Sequence, residues 1–168
     1  MNRYTIAVLV RNHFGVLNRV TSMFRRRQFN ISALTVSETE SSEYSRITVV
    51  FSGDEDNKQQ LVNQLYKLPD VCSIKEFDAH NSVSCELLLI KMENSPETRD
   101  EIKTAADAFS AQTVDYSKDY IMLRLADDSR KIDDFINILR DYKILEICRT
   151  GNVSLEKGST TIRQIINL

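Results

Sequence analysis

The spacing of apolar residues passes twice through one cycle, and that cycle leaves the chain few folds to choose from. Around Arg3 to Val10, the residues Tyr4, Ile6, Val8 and Val10 alternate with Thr5, Ala7 and Leu9. β-Branched residues are frequent there, which predicts a mostly buried strand. Val16, Leu17, Val20, Met23 and Phe24 then follow a 3.6-residue period, so the next element is a helix with one apolar stripe. Arg25, Arg26 and Arg27 close it, where cations complement the helix dipole. Ile31 to Val36 and Arg46 to Phe51 read as two strands joined by the polar stretch Ser37 to Ser45. Gly53-Asp54 ends the second of them. Leu61, Val62, Leu65 and Leu68 mark another helix that stops before Pro69, and Val71 to Phe77 supplies a fourth strand.

Asp78 to Ser82 is short and polar and reads as a linker. The order then returns. A strand spans Val83 to Met92, and a helix from about Ser95 carries Ile102, Ala105, Ala106 and Phe109 on one face. Strands follow at Gln112 to Tyr116 and Tyr120 to Leu125. Ile132, Phe135, Ile136 and Leu139 at i, i+3, i+4 and i+7 give a helix capped by Asp127, Asp128 or Ser129, and Ile144 to Cys148 closes the cycle. β-α-β-β-α-β folds most simply as a four-stranded antiparallel sheet with both helices on one face. The expectation is therefore an α+β chain of two consecutive ferredoxin-like domains, 1–78 and 83–168, joined by 79–82. The tail from Gly151 shows no pattern that fixes its structure.

At 168 residues the chain has room for two small domains, and 42% hydrophobic residues supply their cores. A formal net charge of -2 gives no global attraction to nucleic acid or to anionic membrane. The same element order occurs in RNA-binding sheets, but the aromatic signature of those sheets is missing and the one dense basic cluster closes a helix. Cys72, Cys85 and Cys148 are odd in number and form no C-x-x-C pair, so neither a disulfide framework nor a zinc site is suggested, and a reducing cytoplasmic setting fits. The five-residue apolar run before Arg11 is too short for a spanning helix or a secretion signal. Neither a G-x-x-x-x-G-K-[ST] nor a G-x-G-x-x-G motif occurs, which disfavours an ATPase or a dehydrogenase. His13 and His80 stand in no catalytic arrangement and read as solvated loop residues.

The stretch Asn12-x-x-Gly15-Val16-Leu17-x-Arg19-Val20, followed by Phe24-x-x-Arg27-x-Phe29-Asn30-Ile31-x-x-Leu34-Thr35-Val36, closely resembles the N-terminal ACT domain of acetolactate synthase small subunits. Ser45-Arg46-Ile47-Thr48, Gln64-Leu65-x-Lys67-Leu68-x-Asp70-Val71, Glu86 to Lys91 and Arg149-Thr150-Gly151 extend the resemblance over nearly the whole chain. It implies a non-catalytic subunit of a branched-chain amino-acid biosynthetic transferase. The partner would be a large subunit that holds thiamine diphosphate, Mg and FAD, with no cofactor or metal on this chain. It further implies a homodimer through ACT domains, activation of the large subunit, and feedback inhibition by valine bound at the ACT interface. The other class of reading is a stand-alone amino-acid-responsive regulator of gene expression, but no helix-turn-helix or basic face accompanies it.

The residues can be asked whether they would hold a free amino acid, which presents a carboxylate, an ammonium and a side chain. N–H groups around Gly15, Val16 and Leu17 lie at the positive end of a helix, and Gly15 permits close backbone approach. Asn12 and Asn30 carry carboxamides that donate and accept without adding a charge, and Ile31 offers an apolar wall. Charge-assisted hydrogen bonds of about 1.5–3 kcal/mol each, with about 1.5–3 kcal/mol for burying a Val or Leu side chain, act against several kcal/mol of association cost. Affinity between roughly micromolar and millimolar follows. Relatives often carry Pro or Ser before the Gly, where this chain has His13-Phe14, so the choice among valine, leucine and isoleucine stays open.

Overall fold

The computed structural model describes residues 2–26 and 29–165, and the chain divides into two compact units. Arg27, expected to help close the first helix, lies outside the described residues. One unit comprises Met1–Val83 with Asn152–Leu168, and the other Ser84–Gly151. The sequence boundaries assign the tail to the second domain, whereas it groups with the first.

In the first unit the elements are β1 (Asn2–Arg11), α1 (Val16–Arg26), β2 (Ile31–Glu38), β3 (Tyr44–Gly53), α2 (Glu55–Leu65) and β4 (Val71–Glu76). The sheet order is β2-β3-β1-β4 with antiparallel neighbours throughout. Ile6, Val8, Val10, Ile47, Val49 and Phe51 point to one face, where they meet Val20 and Phe24 of α1 and Leu61 and Leu65 of α2. Burying each of these side chains contributes about 1.5–3 kcal/mol, which is what holds the helices to the sheet. α2 starts on Asp54, whose carboxylate accepts from Asn57 N at 2.8 Å. It ends at Leu65, earlier than the apolar spacing suggests, because the residue before Pro69 is pushed out of helical conformation and Leu68 is reached through a turn onto Leu65 O.

Ala7, Leu9, Thr48, Val50 and Ser73 point to the opposite face of this sheet and are buried as well. The tail lies against that face. It forms β9 (Val153–Glu156) and a short 3-10 helix, Ile162–Ile165. Arg46 donates to Ser154 O, Ser73 Oγ donates to Ile162 O, and Lys75 pairs with Glu156 at 2.7 Å. The expected linker is a hydrogen-bonded turn, with Asn81 N on Asp78 O and Ser82 Oγ on Asp78 O. Lys157 of the tail pins it by donating to Asn81 O and His80 O.

The second unit repeats the order with β5 (Ser82–Glu93), α3 (Arg99–Phe109), β6 (Gln112–Tyr116), β7 (Tyr120–Asp127), α4 (Ser129–Leu139) and β8 (Ile144–Arg149). Its strands run β6-β7-β5-β8, the counterpart of β2-β3-β1-β4. Leu88, Ile90 and Met92 meet Ile102, Ile132, Phe135 and Leu139 in its core. Of the three expected caps on α4, Asp128 serves, accepting from Lys131 N at 2.9 Å. α3 starts at Arg99 instead of about Ser95, since Ser95 to Thr98 form a turn of their own. At the end of β8, Arg149 holds the buried Glu86 carboxylate with contacts of 2.6 and 2.9 Å, and Ser129 Oγ donates to the same group. Among the described residues, no helix is long and apolar enough to cross a membrane.

Candidate functional site

The loop between β1 and α1 is built from short, specified contacts. Arg11 N donates to Asp70 O, Asn12 N to Glu43 O and Val16 N to His13 O at 3.3 Å. The last of these closes a four-residue turn with Phe14 and Gly15 at its centre. Gly15 has φ +82° while Phe14 is not in the positive-φ region, which is the signature of a type II turn. A Cβ on Gly15 would meet no atom within 4 Å, so the backbone angle, not crowding within the chain, calls for glycine.

This turn decides which amides remain. Val16 N–H is taken by His13 O and the Val16 side chain is buried in the core, so Val16 supports the loop and does not face a ligand. The first helical bond runs from Arg19 N to Gly15 O. Among the described residues, no backbone carbonyl accepts from Leu17 N or Asn18 N, and these two N–H groups form the open positive end of α1. Leu17 is itself half exposed, and Phe14 projects fully into solvent at the loop tip.

Asn12 is more committed than its sequence context suggests. Its amide donates to Glu38 Oε1 at 3.2 Å and to Ser42 O at 3.0 Å, tying the end of β1 to the turn between β2 and β3. The donors are spent on the fold, and the carboxamide oxygen is the group left to face outward. A charge clamp stands behind the loop. Asp70, nearly buried, receives Arg19 Nη1 at 2.5 Å and lies 3.6 Å from His13 Nδ1. The sequence pattern does not mark Asp70, Arg19, Glu38 or Ser42 as site residues, although Arg19 and Asp70 stand inside the motifs that carry the resemblance.

Asn30 and Ile31 are elsewhere. Ile31 pairs with Phe51, which pairs with Tyr4, so the start of β2 lies level with the start of β1. Asn12 follows the far end of β1, eight residue steps beyond Tyr4 or roughly 26 Å at the rise of a strand. The fold brings Asn12, Gly15, Val16 and Leu17 together and leaves Asn30 and Ile31 at the opposite end of the sheet. Asn30 is exposed and Ile31 half-buried.

Comparison with known proteins covers both units. A family described as an acetohydroxyacid synthase small subunit-like ACT domain matches residues 6–73, and one described as the small subunit of acetolactate synthase matches residues 85–158. A probable acetolactate synthase small subunit of Archaeoglobus fulgidus is 42% identical over 94% of this chain and 98% of its own. The acetolactate synthase small subunit of Bacillus subtilis is 40% identical over 92% and 90%. The crystal structure of the acetolactate synthase small subunit of Thermotoga maritima superposes with a TM-score of 0.87 at 31% identity, covering 95% of this chain and all of the other.

Proposed function

We propose that this chain, which belongs to the acetolactate synthase small-subunit family, senses a branched-chain amino acid, foremost valine, and transmits its presence to the catalytic large subunit. Family membership supplies the coarse part, a regulatory small subunit with a large-subunit partner. The finer reading is that the chain activates the large subunit in the cytoplasm and confers feedback inhibition when the effector occupies an interface between two ACT domains of a homodimer. Thiamine diphosphate, Mg and FAD belong to the large subunit in this reading.

The observation that carries it is the separation of Asn12 and Asn30 at opposite ends of one sheet. One copy cannot close both around a small molecule. The sheet has two edge strands, β2 and β4; β4 carries Lys75 and Glu76, whereas from Ile31 to Ser37 β2 bears neither charge nor proline to deter pairing. Two copies related by a two-fold axis would set β2 antiparallel to its counterpart, so that the Ile31 end of one meets the Glu38 end of the other. Asn12 contacts Glu38, so Asn30 of the second copy would arrive beside the β1–α1 loop of the first.

The roles then follow from chemistry. Leu17 N–H and Asn18 N–H receive the effector carboxylate at the helix N-terminus, assisted by the Asn30 amide of the second copy. Asn12 Oδ1 accepts from the ammonium, and Ile31 walls the aliphatic side chain. Gly15 keeps the turn that presents these groups, and Val16 anchors the turn in the core. Binding across the interface changes its geometry and so shifts the population of the state that engages the large subunit.

Titration calorimetry of valine, leucine and isoleucine against wild type, Gly15→Asp and Asn30→Ala tests the site. Valine is expected to give the largest heat with wild type and none with Gly15→Asp, and equal heats from all three proteins would sink the assignment. The regulatory role is tested by the rate of the reconstituted large subunit with and without this chain. No change in rate or in valine sensitivity would overturn it.

A further inference from the structure

A pocket on the first unit is lined by none of the residues assigned to the effector. It has a volume of about 330 Å³ and lies on the sheet face away from α1 and α2, between β3, β4 and the tail. Arg46, Lys75 and Arg163 bring three positive charges to it, and Glu40 and Glu156 bring two negative ones. Lys75 and Glu156 neutralise each other at 2.7 Å and are both largely buried. The remaining balance is two guanidinium groups against one carboxylate.

Those two guanidinium groups are under-used. Arg46 is half-buried, donates among the described residues to one carbonyl, Ser154 O, and lies over the Phe77 ring at 5.6 Å. The charge that acts on it is that of Glu40, whose side chain is 72% exposed and therefore well solvated. Arg163 packs over Tyr44, and its Nε lies 2.9 Å from Glu40 Oε1 without hydrogen-bond alignment. Its Nη2 is buried and has no hydrogen-bond partner among the described residues. A guanidinium carries five N–H donors in a planar fork that matches a carboxylate, and buried donors are rarely left unmet.

We propose that this pocket binds a small aliphatic monocarboxylate, its carboxylate held by Arg163 and Arg46 and its apolar part against Phe77. One monoanion completes the charge balance of the lining, and the volume suits a ligand of a few carbon atoms. Arg163 belongs to the tail, so occupancy would fasten the tail to the sheet. The site is independent of the effector reading, since no residue from Asn12 to Leu17 lines it.

The full-length chain, ¹⁵N-labelled, is titrated with isobutyrate as the probe, in wild type and in Gly15→Asp, Arg163→Met and Arg163→Lys. Isobutyrate is expected to shift the amides of Thr161 and Arg163 in wild type and to bind Gly15→Asp within twofold. Arg163→Met should bind at least tenfold more weakly, with Arg163→Lys in between because charge survives and the fork does not. Equal affinity in wild type and both Arg163 variants overturns the site. Inorganic phosphate competing as well as isobutyrate overturns the carboxylate class. Loss of binding in Gly15→Asp alone would place the probe in the effector loop and overturn the proposal as well.

Discussion

Replacing Arg149 with Met should strip the second unit of the partner of its most deeply buried carboxylate. Glu86 is 4% exposed and receives two hydrogen bonds from Arg149, at 2.6 and 2.9 Å, while Ser129 Oγ supplies another at 2.8 Å. The same contacts raise the pKa of Arg149, the Glu86 hydrogen bonds contributing most, so its positive charge is well secured. Removing one member of a buried pair costs about 3–5 kcal/mol, chiefly because the other charge stays behind in a poorly solvating place. Ser129 is retained in the variant, so the lower end, about 3 kcal/mol, is the working figure. For a unit of this size each kcal/mol moves Tm by roughly 4–8 °C, which makes the expected loss roughly 12–24 °C. Calorimetric unfolding, with hydrogen exchange at β5 amides to identify the unit, measures it. Protonation would neutralise the stranded carboxylate, so the variant's deficit should shrink on going from pH 7 to about pH 4. The paired variant Glu86→Leu with Arg149→Met removes both charges and should recover most of the loss. A single-variant loss below about 1 kcal/mol, or a paired variant as unstable as the single one, would refute the claim that the desolvated charge dominates.

Phe14→Pro places a residue with fixed φ at the second position of the type II turn, where the Phe14 N–H has no backbone acceptor among the described residues. Stability should rise by about 0.4–1 kcal/mol, seen as a higher urea midpoint with unchanged m-value. Asp70→Asn releases Arg19 and His13 from behind the same loop; because Arg19 is half exposed the stability cost should be only about 1 kcal/mol. Hydrogen exchange at Val16 and Arg19, whose amides bond to His13 O and Gly15 O, should nevertheless accelerate, and valine titration should show several-fold weaker binding. Acidification should weaken the fold through Glu55 and Asp127, whose carboxyls are held below the usual range by hydrogen bonds from Lys58 and Lys131. Such groups contribute stability above their unfolded pKa and lose it as pH falls through the carboxylate range, so urea midpoints should drop between about pH 5 and 3. Lys58→Met should flatten the part of that drop that Glu55 supplies.

The repeated β-α-β-β-α-β order could be read because each element carries its own period. Ile132, Phe135, Ile136 and Leu139 announce a helix face wherever the rest of the chain goes, and all four are buried. The family was legible for a related reason, since its motifs are local runs at fixed spacing. The tail was not legible. Its ties run from Arg46 to Ser154 O and from Ser73 to Ile162 O, across 108 and 89 residues, and a backbone carbonyl leaves no mark in the sequence. Half of the candidate site shared that difficulty. Gly15 does stand at the start of α1, in a positive-φ conformation, but Asn12 Nδ2 is committed to Glu38 and Ser42, and Val16 to the core. That Asn30 lies at the other end of the sheet depends on strand register, which periodicity alone does not supply.

Because the first unit gathers both ends of the sequence, the second unit, Ser84–Gly151, is formally an insertion within it. During synthesis β1 to β4 leave the ribosome with one sheet face still waiting for Ser154, Glu156 and Ile162. Roughly 70 residues must follow first, which at about 5–20 residues per second is a delay of several seconds. The intervening segment can complete its own sheet and core in that time. The ACT sheet, begun first, is finished last, and it is the half of the nascent chain that most needs shielding from other apolar surfaces.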